Sequence, residues 1–425
     1  MKIKGFFLIL LFSCSTQLHA ESWYSFANKI AIAKYAGLQV KMEAAVRTEI
    51  TDEEASARLW FRADKAAGYG LFENMWEKPI KSKEWKVYSL EGKIDEDAVS
   101  LAFGALTEYS GSFYYDDFKL SVKAKEGNWE VIYQTNFENG LDGWKAGIVA
   151  KAEPALGTNK CFTTSVYNTN LKDHQKCLKI AGVNVPDYGH SKTAGKYAKV
   201  NGINLYYEVY GEGKPLVILH GNGGSIENAE PHLEFFMKKY KVIAIDTRGQ
   251  GKSIDNTSEL TYDLMASDIN ELLEQLNIDS AYVWGHSDGA ILSLILAMDY
   301  PKKVKKAIAY AANLIPDSSA VLGKDYLECE DKALHSDNAK EKQLNMLMYK
   351  YPNIPFSALH KITADILVMS GDNDVIQLSH TLEIYKNIKR ANLCILPAAT
   401  HGGAWQKPQL FQQLATDFFE KPFVK

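Results

Sequence analysis

The stretch Ser280-Ala281-Tyr282-Val283-Trp284-Gly285-His286-Ser287-Asp288-Gly289-Ala290 decides how the second half of the chain is read. A β-prone run from Ala281 to Trp284 enters Gly285-His286-Ser287-Asp288-Gly289, and an apolar helical pattern from Ala290 to Met298 leaves it. In the order strand, sharp turn, helix, the G-x-S-x-G spacing has a mechanical reason. The turn forces the serine into a strained backbone conformation, and glycines two residues to either side remove side chains that would collide there. The serine oxygen then stands above the sheet at a helix N-terminus, which favours negative charge. An ordinary strand-to-helix turn carrying a serine fits the pentapeptide equally well, so partners elsewhere in the chain must decide.

Around this turn the chain alternates regularly from Tyr197 onward. Asn201-Gly202 between apolar runs signals a two-residue hairpin. Strand candidates follow at Pro215–Leu219, Lys241–Ile245, Ala281–Trp284, Lys306–Tyr310, Ile366–Met369 and Asn392–Leu396. Helical patterns separate them at about 226–239, 262–276, 289–299, 379–389 and 406–419. Apolar strands with intervening helices make a parallel sheet covered on both faces. Two antiparallel strands feeding such a sheet, with the serine turn after the fifth strand, resemble the α/β-hydrolase fold over residues 197–420. The expected class is therefore α/β: a doubly wound, mostly parallel sheet with a short cap.

The resemblance implies positions that can be tested one at a time. His220-Gly221-Asn222-Gly223-Gly224 follows the third strand, where the family places half of its oxyanion hole. The backbone N–H groups of Asn222 and Asp288 would converge on the substrate carbonyl oxygen. A glycine-rich loop can instead cradle phosphate, but the G-K-[ST] ending is missing. Asp246-Thr247-Arg248-Gly249-Gln250-Gly251-Lys252-Ser253 matches a further landmark and reads as structural. Gly371-Asp372-Asn373-Asp374 matches the turn carrying the family's acid, and the register selects Asp374 over Asp372. Leu396-Pro397-Ala398-Ala399-Thr400-His401-Gly402 matches the histidine loop. A serine needs a base to become nucleophilic, and the base needs an acid to fix its tautomer. The implied triad is Ser287, Asp374 and His401, in that chain order and at the C-terminal ends of strands, where open parallel sheets gather ligands. Asp288 departs from the apolar or amide residue common after the nucleophile; its carboxylate is expected to turn back into the protein or pair with a cation. The insertion of residues 315–362 falls where the family carries its cap. Tyr326, Met346, Met348 and Tyr349 would line a pocket there or pack the cap onto the core.

At 425 residues the chain exceeds one ordinary core, so two domains are expected. Met1-Lys2-Ile3-Lys4-Gly5, the apolar run Phe6 to Phe12 and Leu18-His19-Ala20 have the three zones of a secretory signal, with cleavage after Ala20. This predicts a secreted or periplasmic protein. Ser13-Cys14 loosely resembles a lipoprotein box, with the bulky Phe12 as a departure. No later stretch is long enough to span a bilayer. Loss of Lys2 and Lys4 leaves 46 of the 48 basic residues against 52 acidic ones, which argues against a nucleic-acid partner. Among the remaining cysteines, a Cys161–Cys177 bridge would contribute about 3 kcal/mol in an oxidising compartment. Cys394 reads as a buried small hydrophobe.

Residues 21–185 read differently. Short alternating segments such as Ala57 to Arg62 and Lys86 to Leu90 recur between turns, a β-sandwich pattern. Gly111 to Leu120 resembles the last strand of galactose-binding-like jelly rolls, and Gln134 to Trp144 resembles the opening of the same fold. The order is reversed, so either the sandwich is circularly permuted or a truncated second copy follows the first. Trp23, Trp60, Trp76, Trp85, Trp129 and Trp144 lie here and would stack on sugars or fill the core. Asp117 with Glu138 would hold a structural calcium or stand as solvated carboxylates. The Gly-, Pro-, Lys- and Asn-rich stretch 181–196 contains the linker, placed at 186–196, and residues 197–425 form the hydrolase-like domain.

The expected function is a serine hydrolase cleaving carboxylic esters through an acyl-enzyme, without a cofactor, on a small-molecule or glycan-linked acyl ester. Thioester, lactone, amide and carbon–carbon bond hydrolysis share the triad and stay open. So does a non-catalytic ligand-binding protein on the same scaffold. Serine at the elbow argues against the family's aspartate-dependent haloalkane dehalogenases and epoxide hydrolases. The oligomeric state is left open.

Overall fold

The computed structural model describes residues 22–50, 52–66, 68–124, 126–147, 160–169, 175–255 and 259–424. The expected signal segment and Cys14 lie outside the described residues. The chain divides into two compact units, Met1–Asp187 and Tyr188–Lys425.

The first unit is built from strands β1 (Trp23–Ala31), β2 (Gln39–Ile50), β3 (Ser56–Lys65), β4 (Tyr69–Glu73), β5 (Lys86–Lys93), β6 (Ala98–Glu108), β7 (Gly111–Lys123), β8 (Trp129–Thr135), β9 (Lys145–Ala146), β10 (Phe162–Asn168) and β11 (Lys176–Gly182). They form two antiparallel sheets, ordered β4-β3-β6-β1-β9 and β10-β11-β7-β2-β5, with β8 also on β7. The period-2 pattern of β2 shows why: Val40, Met42, Ala44 and Val46 face inward while the residues between them do not. Inward residues of both sheets share one core. Phe137 and Trp144, from the segment that resembles a second opening, are buried in that same core, and β8 and β9 pair with β7 and β1. The segment is therefore built into one sandwich and does not start a second copy.

Cys161 and Cys177 do not form the expected bridge. In the β10–β11 hairpin Cys177 faces Tyr167, whereas Cys161 precedes Phe162, the partner of Gly182, at the far end. Six residues of strand separate the two positions, about 20 Å at ~3.3 Å per residue, against a limit near 7 Å between disulfide Cα atoms. Trp60 and Trp144 are core, their indole N–H groups donating to Ser25 Oγ and Tyr133 Oη at 3.0 Å each. Trp76 and Trp129 are exposed. Glu138 Oε1 accepts the Lys176 N–H at 2.8 Å, tying the 137–138 turn to β11. Among the described residues no group of three or more His, Cys, Asp or Glu could hold a metal ion.

The second unit contains β12 (Gly195–Val200), β13 (Ile203–Tyr210), β14 (Lys214–Leu219), α1 (Glu230–Phe236), β15 (Tyr240–Ile245), α2 (Tyr262–Gln275), β16 (Ala281–His286), α3 (Asp288–Asp299) and β17 (Val304–Tyr310). Then come α4 (Gly323–His335), α5 (Ala339–Lys350), β18 (Asp365–Gly371), α6 (Leu378–Lys386), β19 (Ala391–Leu396), α7 (Gly403–Gln406) and α8 (Pro408–Glu420). The β12–β13 hairpin turns at Asn201 (φ 40°) and Gly202 (φ 87°), both in the left-handed region that a two-residue turn of this hand requires. The sheet runs β12-β13-β15-β14-β16-β17-β18-β19, parallel from β15 onward. The chain crosses from β14 to β15 on one side and then from β15 back over β14 to β16 on the other, so the direction of crossover reverses at β14. A crevice opens at the carboxyl ends of strands at such a switch point.

Residues 188–196, expected to be linker, belong to this unit. The buried Glu208 carboxylate accepts the N–H groups of Gly189 (2.7 Å) and Ser191 (2.9 Å) and the hydroxyls of Tyr206 (2.6 Å) and Tyr210 (2.7 Å). Four donors satisfy a carboxylate that burial would otherwise penalise. Helices α4 and α5 form the insertion between β17 and β18. No described helix is long and apolar enough to cross a membrane.

Candidate active site

Ser287 sits between β16 and α3 with φ 53° and ψ −116°, a conformation rarely open to a residue with a side chain. Its N–H donates to Tyr310 O (2.9 Å) and its carbonyl accepts from Ala290 N (2.8 Å), so strand and helix hold the strained residue from both sides. The flanking glycines are required sterically. A Cβ on Gly285 would lie 1.9 Å from Gly289 O, and one on Gly289 would lie 2.2 Å from Leu219 O. The start of α3 is thus pressed against the end of β14.

At the carboxyl ends of β18 and β19 the two turns meet. Asp374 Oδ1 accepts the His401 Nδ1–H at 2.7 Å, which leaves Nε2 as the unprotonated nitrogen of a neutral ring. Burial pushes the Asp374 pKa up. The His401 hydrogen bond and charge, together with the N–H groups of Ile376 (3.0 Å) and Gly371 (3.3 Å), outweigh it and hold the carboxyl below its usual range. Ser370 Oγ donates to the other oxygen at 3.1 Å. Asp372 serves the loop instead of the ring. Its exposed carboxylate accepts Ala398 N and Ala399 N, at 2.8 and 3.0 Å, and shapes the turn that carries the histidine.

No sequence signal marks His286. Its Nε2–H donates to the His401 carbonyl at 2.8 Å, pinning the histidine loop to the serine turn. Burial, and the nearby His401, push its pKa down to about 3, so the ring stays neutral. Trp405 packs edge-on against it at 4.7 Å between ring centres.

The loop after β14 approaches from the other side. Gly223 N–H donates to Gln250 Oε1 (2.5 Å) and Gly224 N–H to Gly221 O (3.1 Å). Among the described residues, the backbone N–H groups of Asn222 and Asp288 have no protein acceptor. Of the two expected courses, the Asp288 carboxylate takes the first and turns into the protein, onto two neutral donors. Oδ2 accepts from Asn222 Nδ2 and Oδ1 from the Tyr262 hydroxyl, both at 2.9 Å. Burial raises its pKa to about 6 against the lowering effect of those two donors. Tyr262 and Gln250 carry no sequence signal of their own: the first reads as one more residue of an amphipathic helix, the second as part of a structural turn.

Arg248 is structural, as expected, with a two-pronged pair to Asp268 (2.6 and 2.7 Å). In the cap, Tyr326 of α4 and Tyr349 of α5 lie 6.4 Å apart; like Met346 and Met348 they are half-buried.

Residues 214–329 match the family described as alpha/beta hydrolase fold. The C-terminal half has the α/β-hydrolase fold. The human serine hydrolase BPHL is 28% identical over 273 residues, spanning 56% of this chain and 92% of that protein. The sn-1-specific diacylglycerol lipase ABHD11 of Danio rerio is 37% identical over 111 residues, 25% of this chain and 35% of that protein. Among solved structures, the enol-lactonase from Burkholderia xenovorans LB400 aligns at 21% identity with a TM-score of 0.46, covering 53% of this chain and 100% of that one. The sequence relatives indicate a hydrolase.

Proposed function

We propose that the protein is an exported serine hydrolase that cleaves carboxylic esters through an acyl-enzyme, with Ser287 as nucleophile, His401 as base and Asp374 as orienting acid. The observation that carries this reading is the 2.7 Å Asp374–His401 bond beside a serine held at positive φ. His401 Nε2 takes the Ser287 proton as Oγ attacks the acyl carbon. The developing oxyanion is received by the N–H groups of Asn222 and Asp288, which have no competing acceptor. His401 then returns the proton to the departing alcohol. A water, deprotonated by the same nitrogen, releases the acid and restores Ser287. No metal or redox group enters these steps.

The test is labelling with a fluorophosphonate followed by a screen of acyl esters of graded chain length, acylated sugars included. Phosphonylation at Ser287 and turnover of at least one ester class support the reading. Labelling elsewhere, or none by a folded protein, overturns it. The export reading rests on residues 1–20 and is tested by the N-terminus of the protein recovered from the producing cells. The glycan reading rests on the exposed Trp76 and Trp129. If affinity electrophoresis with a glycan panel shows no retardation, the ester substrate is a small molecule.

A further inference from the structure

The two N–H groups assigned to the oxyanion lie on loops from different strands, and no covalent bond fixes their spacing. Asn222 follows β14; Asp288 opens α3. Their backbone N–H groups have no protein acceptor among the described residues, whereas their side chains bond to each other, Asn222 Nδ2 to Asp288 Oδ2 at 2.9 Å. The pair is braced at both ends. Tyr262, buried at the start of α2, donates to the second Asp288 oxygen at 2.9 Å. Gln250 holds the neighbouring residue of the Asn222 loop through Gly223 N–H at 2.5 Å. The Asn222 amide also reaches Leu344 O of α5 at 3.3 Å, so a cap helix shares the same donor. A buried carboxylate this near to a site that accumulates negative charge works against catalysis unless it does something else, because like charges repel strongly where water is excluded. Its two donors are what it is used for.

Resting on the serine-hydrolase reading, we propose that the Asn222–Asp288 side-chain pair, braced by Tyr262, is a positioning clamp that sets the distance between the two oxyanion donors. Neither side chain touches the substrate. Both act through the backbone N–H groups of their own residues, which side-chain substitution leaves in place. Slackening the clamp therefore weakens transition-state binding and leaves ground-state binding nearly unchanged.

The experiment is a double-mutant cycle on p-nitrophenyl butyrate hydrolysis. Asn222→Ala and Asp288→Ala should each lower kcat about 10- to 100-fold, less than the ~100- to 1,000-fold loss on removing a donor outright, with KM within about threefold. Affinity for phenylboronic acid, whose serine adduct mimics the tetrahedral intermediate, should fall in step with kcat. The double variant should be no slower than the slower single variant, since the two act as one unit. Asp288→Asn keeps an acceptor for Asn222 and should restore kcat to within a few-fold. Should an alanine variant fail to fold, Tyr262→Phe, which removes one hydroxyl, gives the same readout: a smaller loss of kcat at constant KM. Effects that multiply in the double variant, or equal losses in kcat/KM carried by KM, would overturn the clamp. Ser287→Ala run in parallel separates the two readings. If it is inactive while Asn222→Ala and Asp288→Ala keep full kcat, the clamp fails and the nucleophile stands; if it keeps full activity, the serine-hydrolase reading fails and the clamp with it.

Discussion

Replacing Asp288 with asparagine should stabilise the hydrolase unit at neutral pH and do nothing at pH 4. Asp288 is 2% exposed and its carboxyl is raised to about 6, whereas in an unfolded chain it titrates near ~3.9. Below pH 4 both states carry the proton and folding is indifferent to it. Between pH 4 and 6 the unfolded chain releases its proton while the folded one keeps it, so stability falls as pH rises. Above pH 6 the full cost remains, about 3 kcal/mol for two pKa units. Asparagine cannot ionise, yet it offers a carbonyl to Asn222 and an amide to the Tyr262 hydroxyl, so packing and hydrogen bonds persist. The stability difference between variant and natural protein should then climb by about 3 kcal/mol from pH 4 to pH 7. Hydrogen exchange followed by mass spectrometry on peptides from β16 and α3, corrected for intrinsic rates, reads this within the second unit alone. A difference that does not change with pH would show that the Asp288 carboxylate costs nothing where it stands, and would refute the argument from burial.

Ser287→Ala should fold like the natural protein, lose phosphonate labelling and drop ester turnover by several powers of ten, measured by kcat on an activated ester. Asp374→Asn should keep the fold but reduce kcat by roughly four powers of ten, because an amide can donate to His401 Nδ1 and select the wrong tautomer; a loss under tenfold would remove Asp374 from the site. A chain beginning at Tyr188 should retain hydrolysis of a small ester. One beginning at Tyr197 loses the Gly189 and Ser191 donors to Glu208 and should be less stable by a few kcal/mol in urea unfolding, each charge-assisted bond being worth ~1.5–3 kcal/mol. Cys161 and Cys177 should both be alkylated under denaturing, non-reducing conditions, and the mass of the intact protein checks it.

Periodicity and punctuation made the second unit legible. Every strand expected from Pro215 to Leu396 lies within an observed one, because each is a short, largely apolar run bounded by turn residues, and all but the edge strand β19 are mostly buried. Asn201-Gly202 announced its turn because few residue pairs tolerate two left-handed positions in a row. The choice of Asp374 over Asp372 rested on register within one short turn; in the structure Asp372 meets loop amides and Asp374 meets the His401 ring. What stayed hidden depends on contacts between distant segments. Nothing local marks Tyr262 as the partner of Asp288, 26 residues away, or His286 as the partner of a carbonyl 115 residues away. Residues 188–196 looked like linker because they end a stretch rich in Gly, Pro, Lys and Asn; the pull of a buried Glu208 on their backbone leaves no trace in composition. The cysteines misled for the same reason. Spacing of 16 suits a loop, and only the register of the hairpin reveals that the two point to opposite ends.

The contact between Asn222 and α5 bears on how this cap can change over time. The acceptor is the main-chain oxygen of Leu344, which any residue at that position would supply. Side chains of the insertion are therefore free to drift and to reshape what the crevice admits, while the path of the helix is held to within the reach of one hydrogen bond. Grafting a foreign insertion onto this scaffold would accordingly transfer selectivity only when the incoming helix brings a carbonyl to the same spot; a graft that misses it should accept its new substrate and turn it over slowly.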